Sequence, residues 1–185
     1  MIYDNVVRQQ PAPWSRRVSF VGSRAEKLPF GLDEGDPRCA DFRRRLRDTI
    51  ENLVWQGYRH FISDGSPGAP MWAAELVLEM RQQEPGLLLE MVSPYDSRPD
   101  RWPSQVKQRY ERLFEAADII TATGHAWTRS SIFDRNRYLV NNADMLVAAY
   151  DGQPGGTEMV VRYARSIGIQ VCRILPVVPG RVILS

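Results

Sequence analysis

Asp151-Gly152-Gln153-Pro154-Gly155-Gly156-Thr157 stands between the apolar run Met145 to Tyr150 and a stretch of helical periodicity. A strand that empties through glycines onto a helix N-terminus presents unpaired N–H groups and positive partial charge, and glycine puts no Cβ in the way of an anion. The chemistry on offer is phosphate binding. The competing reading is an ordinary strand-to-helix turn whose glycines permit positive φ. The loop has neither the lysine of a P-loop nor the G-x-G-x-x-G spacing of a dinucleotide fingerprint, so neither standard nucleotide motif applies.

Two other segments follow apolar runs with suggestive chemistry. Gly22-Ser23-Arg24 places a guanidinium just past Val18 to Val21, where its planar fork can grip a phosphate, although a surface arginine beside a turn has the same appearance. Asp64-Gly65-Ser66-Pro67-Gly68 resembles a nucleophile elbow only in part, because Asp64 occupies the earlier glycine position. Neither His60, inside a strand pattern, nor His125 has an evident carboxylate partner in the sequence, which argues against a serine hydrolase. A backbone-lined binding turn is the better reading of Gly65, Ser66 and Gly68. Asp134, Asp151 and Glu158 lack ligand spacing, so no metal site is expected. Cys39 and Cys172 stand far apart and read as reduced thiols. Trp55, Trp72 and Tyr110 are expected in the core.

Alternating strands and helices must position these loops. Asp36-Pro37 supplies an N-cap and a proline for the first helical turn. Phe42, Leu46, Ile50, Leu53 and Val54 then recur at helical spacing up to Gly57, with Arg43, Arg44, Arg47, Asp48 and Glu51 on a solvated face. Tyr58 to Ser63 reads as a strand, Trp72 to Met80 as a helix and Leu87 to Val92 as a strand. A helix around Val106 to Phe114, a strand Asp118 to Ala122 and a short helix Ile132 to Asn142 follow. The strand Met145 to Tyr150, a helix Thr157 to Ile167 and a last strand Ile169 to Leu175 complete the order. This alternation predicts an α/β fold, a Rossmann-like three-layer sandwich whose mostly parallel sheet is covered by helices on both faces. Ligands of such sheets sit beyond the carboxyl ends of the strands, where strand order reverses.

The 185 residues fit a loose leader over 1–17, with Trp14 able to dock on the body, a single domain over 18–176 and a tail over 177–185. A formal charge of +2, from 24 basic and 22 acidic side chains, gives no global field toward nucleic acid or membrane, so any anion site is local. No apolar run approaches the ~20 residues of a membrane span, and no signal peptide is apparent; cytoplasmic residence is the expectation.

Taken together, Leu28-Pro29-Phe30-Gly31 with Asp33-Glu34, Trp72-Ala73-Ala74-Glu75, Arg135-Asn136, and Tyr150-Asp151-Gly152 leading to Gly155-Gly156-Thr157 resemble the YpsA-like family. That family belongs to the SLOG superfamily, with the LOG phosphoribohydrolases and DprA, and the resemblance runs from about Val18 to Pro176. It implies a bacterial protein that binds a nucleotide-derived ligand such as ADP-ribose, NAD or an AMP-like molecule, as a sensor or regulator. The residues it points to are Gly22, Arg24, Gly65, Ser66, Gly68, Glu75, Arg135, Asn136, Gly155, Gly156 and Thr157. An alternative is a nucleoside-monophosphate phosphoribohydrolase using Glu75 or Glu158; a second is DprA-like nucleic-acid binding through Arg43 to Arg47, against which the interleaved acids and near-balanced charge argue. A homodimer is expected, since related folds pair through helical faces.

Departures from the family pattern qualify this. Arg24 lacks a preceding histidine, Asp64 replaces a glycine, Pro70 an aspartate, and Asn141 stands where an aspartate is common. The Asp64 carboxylate is expected to repel a nearby phosphate. In LOG enzymes a glutamate follows the threonine by three residues; here that position is Val160, and Glu158 is rotated away by about 200° at about 100° per residue.

Overall fold

A computed structural model describes residues 5–9, 11, 15–95 and 102–179. Trp14 and the last six residues of the expected tail lie outside these. The described residues form one seven-stranded sheet in the order β1-β5-β4-β3-β2-β6-β7, built from β1 (Val6–Val7), β2 (Arg16–Gly22), β3 (Tyr58–Ser63), β4 (Leu88–Ser93), β5 (Ile119–Ala122), β6 (Met145–Ala149) and β7 (Gln170–Ile174). Every neighbouring pair is parallel except the edge pair β1·β5. Val6 and Val7 lie within the stretch the sequence leaves without an element. Their pairing with Ile120 and Ile119 is too short to show as alternation.

Five α-helices among the described residues cover the sheet: α1 (Pro37–Trp55), α2 (Ala69–Met80), α3 (Ser104–Ala116), α4 (Ser131–Asn141) and α5 (Gly156–Ser166). On one face α1, α2 and α3 bury Phe42, Leu46, Trp72, Tyr110 and Phe114 against Phe20, Phe61, Leu89 and Met91. On the other, α4 and α5 bury Leu139, Val140, Val160 and Val161 against Ile62, Val92, Leu146 and Ala148. Strands buried on both sides read as continuous apolar runs, which is why their periodicity is weak and their existence clear.

Local chemistry sets the helix starts. Asp36 accepts a hydrogen bond from the Arg38 backbone N–H at 2.8 Å, and Pro37 occupies the first helical position of α1. Helix α2 begins three residues before the apolar pattern announces it, because Pro70 sits in its first turn, where its missing N–H costs nothing. The arginine face of α1 is solvated but engaged: Arg44 pairs with Asp41 and Asp48, and Arg47 with Glu79.

Two expectations are corrected. Trp72 and Tyr110 are buried, but Trp55 is 87% exposed; one helical residue past Val54, it has rotated off the apolar face. His60 does have a carboxylate partner: its Nε2 lies 2.8 Å from Glu90 Oε2. The partner comes from the neighbouring strand, thirty residues on, which no local pattern reveals.

Candidate functional site

The chain runs from β2 outward through β3, β4 and β5, then returns to place β6 on the other side of β2. Strand order thus reverses at β2·β6, and the cavity of about 310 Å³ lies at the carboxyl ends there. The loops after β2, β3 and β6 all line it, with the first turns of α4 and α5.

Gly22 allows this convergence. A Cβ there would lie 3.1 Å from Ala69 Cβ and 3.3 Å from the Ala149 carbonyl oxygen, so glycine lets α2 and β6 close on the end of β2. The Ser23 N–H donates to that same carbonyl at 2.9 Å. Arg24 then opens a 3₁₀ turn, Ala25–Lys27, and Arg24 and Lys27 both line the cavity. Neither forms an ion pair among the described residues.

Opposite them, α5 starts at Gly156 after Gly155, with no side chain capping its end. The first helical hydrogen bond there is Met159 N–H to the Gly155 carbonyl, at 3.0 Å. The N–H groups of Gly156, Thr157 and Glu158 precede any intrahelical acceptor and are open to an anion. Asp151 shapes the approach by accepting from the Gln153 N–H at 3.0 Å, and Gly152 supplies the left-handed backbone of this loop, with φ of 92°.

The Asp64 carboxylate does not stand bare before the cavity. It accepts from the Ser66 N–H at 2.9 Å and the Ser66 hydroxyl at 2.7 Å, and it forms a close ion pair with Arg135 of α4. The side chains are 7% and 12% exposed respectively. The expected repulsion is therefore answered by a guanidinium 71 positions away in sequence, which is itself oriented by a 3.1 Å hydrogen bond to Asn136 Oδ1. Pro70 packs at the cavity wall, and its carbonyl accepts from the Ser63 hydroxyl at 2.8 Å.

Of the residues singled out from sequence, Gly22, Arg24, Ser66, Arg135, Asn136, Gly155, Gly156 and Thr157 line this cavity. Gly65 and Gly68 do not; Gly65 turns under Met91 and Tyr110, and Gly68 is the N-cap of α2, with φ of 64° and 111°. Glu75 also lies elsewhere. Arg109 of α3 holds it in a two-pronged bond of 2.7 and 2.6 Å. The same guanidinium reaches Glu34 Oε1 at 2.6 Å, where Trp72 Nε1–H also donates at 2.9 Å. These two carboxylates push the Arg109 pKa further above its ordinary value. Burial alone would raise the Glu34 carboxyl, but the Trp72 and Arg109 hydrogen bonds outweigh it and hold that pKa low. Glu158 lines the cavity, yet its Oε2 accepts from Arg162 at 2.6 Å, one turn along α5. Val160 is buried.

The residue missed from sequence is Lys27. Its spacing from Arg24 is informative only once the intervening residues are known to form a 3₁₀ turn, where positions three apart eclipse. No group of three or more acidic, histidine or cysteine side chains with metal-binding geometry occurs among the described residues. None of the helices there is long and apolar enough to cross a membrane.

Comparison with known proteins agrees with this architecture. The YpsA family model, described as the YspA SLOG family, matches residues 18–167. A UPF0398 protein of Bacillus pumilus is 28% identical over 134 residues, covering 70% of this chain and 72% of its own. One from Halalkalibacterium halodurans is 27% identical over 156 residues, covering 80% and 79%. A structure of DNA processing protein A from Helicobacter pylori, solved to explain its single-stranded DNA binding mode, superposes with a TM-score of 0.59 at 16% identity. The match covers 90% of this chain and 66% of that one, and likeness at this identity establishes shared fold alone.

Proposed function

Because the chain belongs to the YpsA SLOG family, we propose that its strand-end cavity binds a nucleotide or nucleotide-derived ligand and that the protein acts as a sensor or regulator. The observation that carries this reading is the meeting of three strand-end loops and the uncapped α5 N-terminus around one cavity lined by Arg24 and Lys27, two cations without an ion pair among the described residues. Backbone N–H groups at Gly156 and Thr157 suit a phosphate, and charge-assisted bonds from cationic side chains strengthen its hold. The cavity of about 310 Å³ is at the small end of ligand sites. It suits a compact nucleotide whose base reaches the open rim.

Binding without cleavage is favoured by the engaged state of both acids: Glu75 lies outside the cavity on Arg109, and Glu158 is held by Arg162. The DNA-binding alternative has less support, since Arg43, Arg44, Arg45 and Arg47 are all spent on carboxylates of this chain. Thermal unfolding with AMP, ADP, ADP-ribose, NAD and cyclic nucleotides tests the reading. A ligand at ~100 times its Kd adds about 2.7 kcal/mol to stability. Absence of any shift across that panel sinks it, and release of free base from AMP would favour the glycosidase instead.

A further inference from the structure

We propose that Lys27, rather than Arg24, is the cation that meets the anionic group at the α5 N-terminus, and that Arg24 serves a second anionic group beside it. The site then selects a ligand with two adjacent phosphates over one with a single phosphate. This rests on the nucleotide-binding role proposed for the same cavity.

The Lys27 N–H donates to the Arg24 carbonyl at 2.9 Å, closing the 3₁₀ turn. Residues three apart in such a turn share a face and are separated by about 6 Å along its axis, from a rise of about 2 Å per residue. Arg24 and Lys27 accordingly both line the cavity. Gly155 fixes which of them is at the helix end: a Cβ built on it would lie 3.1 Å from Lys27 Nζ. The φ of Gly155, 161°, is extended backbone that any residue adopts, so the glycine contributes room for the ammonium, not a special conformation. Gly155 directly precedes Gly156, the first residue of α5. The ammonium and the open N–H groups therefore address the same point.

Competing partners inside the cavity are already engaged. Arg135 is committed to Asp64, Glu158 to Arg162, and one oxygen of Asp151 to the Gln153 N–H. That leaves two cations one 3₁₀ turn apart, with the helix end beside one of them. Long side chains rooted one such turn apart can converge on the two neighbouring phosphates of a diphosphate.

AMP and ADP differ by one phosphate and share a base, so titration calorimetry of the whole chain with each reads the proposal directly. ADP is expected to bind at least about ten-fold more tightly than AMP. Lys27→Met should weaken both nucleotides by a similar factor, about ten-fold, while Arg24→Met should weaken ADP by that much and leave AMP within about two-fold. Both side chains are exposed, and unchanged circular dichroism and melting of each variant confirm that the fold is intact; Lys27→Arg should restore most of the binding. Equal affinity for AMP and ADP, or an Arg24→Met variant that loses AMP as severely as ADP, overturns this assignment and leaves the proposed nucleotide site standing. Failure of the native chain to bind either nucleotide overturns this assignment, and overturns the proposed site as well where the wider nucleotide panel also gives no thermal shift.

Discussion

Asp64 changes meaning once the chain is folded. In sequence it is a carboxylate replacing a glycine in a loop suited to phosphate; in the fold it fastens its own turn through Ser66 and pairs with Arg135. Both partners are nearly buried, so removing one strands the other in a poorly solvated place. Arg135→Ala is expected to cost about 3 kcal/mol in urea unfolding, and adding Asp64→Asn should recover much of it. If the double variant is as unstable as the single, the pair is not what stabilises the loop. Glu90 makes a second argument of this kind. Burial pushes its carboxyl up, but His60, Tyr138 and Thr121, the last two at 2.6 and 2.7 Å, outweigh that and leave the pKa below the ordinary value. Burial first, then the bond to Glu90, pushes the Tyr138 hydroxyl up to about 12. A lowered carboxylate pKa contributes stability that is present above the unfolded value of about 4.3 and lost as pH falls through the folded one. Glu90→Gln should therefore destabilise at pH 7 by about 2 kcal/mol and flatten the fall in stability just below pH ~4.3. Urea midpoints of both proteins at pH 7, 5 and 3.5 check the magnitude and the sign.

At the scale of elements, the loop before α1 is tied to three helices at once. Glu34 accepts from Trp72 of α2 and Arg109 of α3 and pairs with Arg43 of α1, while Arg109 also grips Glu75. Trp72 lies in an aromatic cluster with Phe30 and Phe42, with ring centroids 6.2 and 5.9 Å away. Trp72→Ala should cost about 3–5 kcal/mol through the cavity it leaves, whereas Trp55→Ala should change stability by no more than about 0.5 kcal/mol. Denaturant curves of the two variants settle whether Trp55 belongs to the core. The contrast also marks what a sequence can carry. Helix α1 is legible end to end, from the Asp36 cap and Pro37 through its apolar spacing to Gly57, because each signal is local. Trp55 is misplaced because an apolar residue at the ragged last turn lies about 100° beyond Val54, and composition does not record that rotation. The Glu34–Arg109–Glu75 clasp is invisible for a different reason: Arg109 lies 75 and 34 positions from its two partners, and those carboxylates, Glu34 and Glu75, match family motifs that could equally well have faced a ligand.

At the scale of the whole molecule, the alternation of elements made the parallel sheet legible, but the strand order that creates the switch point at β2·β6 is written in no local pattern. The loops were recognisable from their glycines; their meeting was not, and Lys27 emerged only when the 3₁₀ turn placed it over Gly155. That same order gives the molecule two unequal layers. The core under α1, α2 and α3 holds thirty-one buried apolar residues among those described, and the one under α4 and α5 holds eleven. Local opening follows the thinner packing, so the helices that contribute Arg135, Asn136, Gly156 and Thr157 to the cavity sit on the less anchored side. Hydrogen exchange of the native chain should find the amides of α4 and α5 exchanging well before those of α1 and α2. A saturating nucleotide that bridges Lys27 and the α5 end would tie the loosely held layer to the strongly held one. Protection should then rise most in the first turn of α5 and in α4, by up to the ~100-fold that binding at 100 times Kd allows, and hardly at all in α1. Uniform slowing across all five helices would mean that the ligand stabilises only against global unfolding. Slowing confined to α1 and α2 would place it on the opposite face from the cavity.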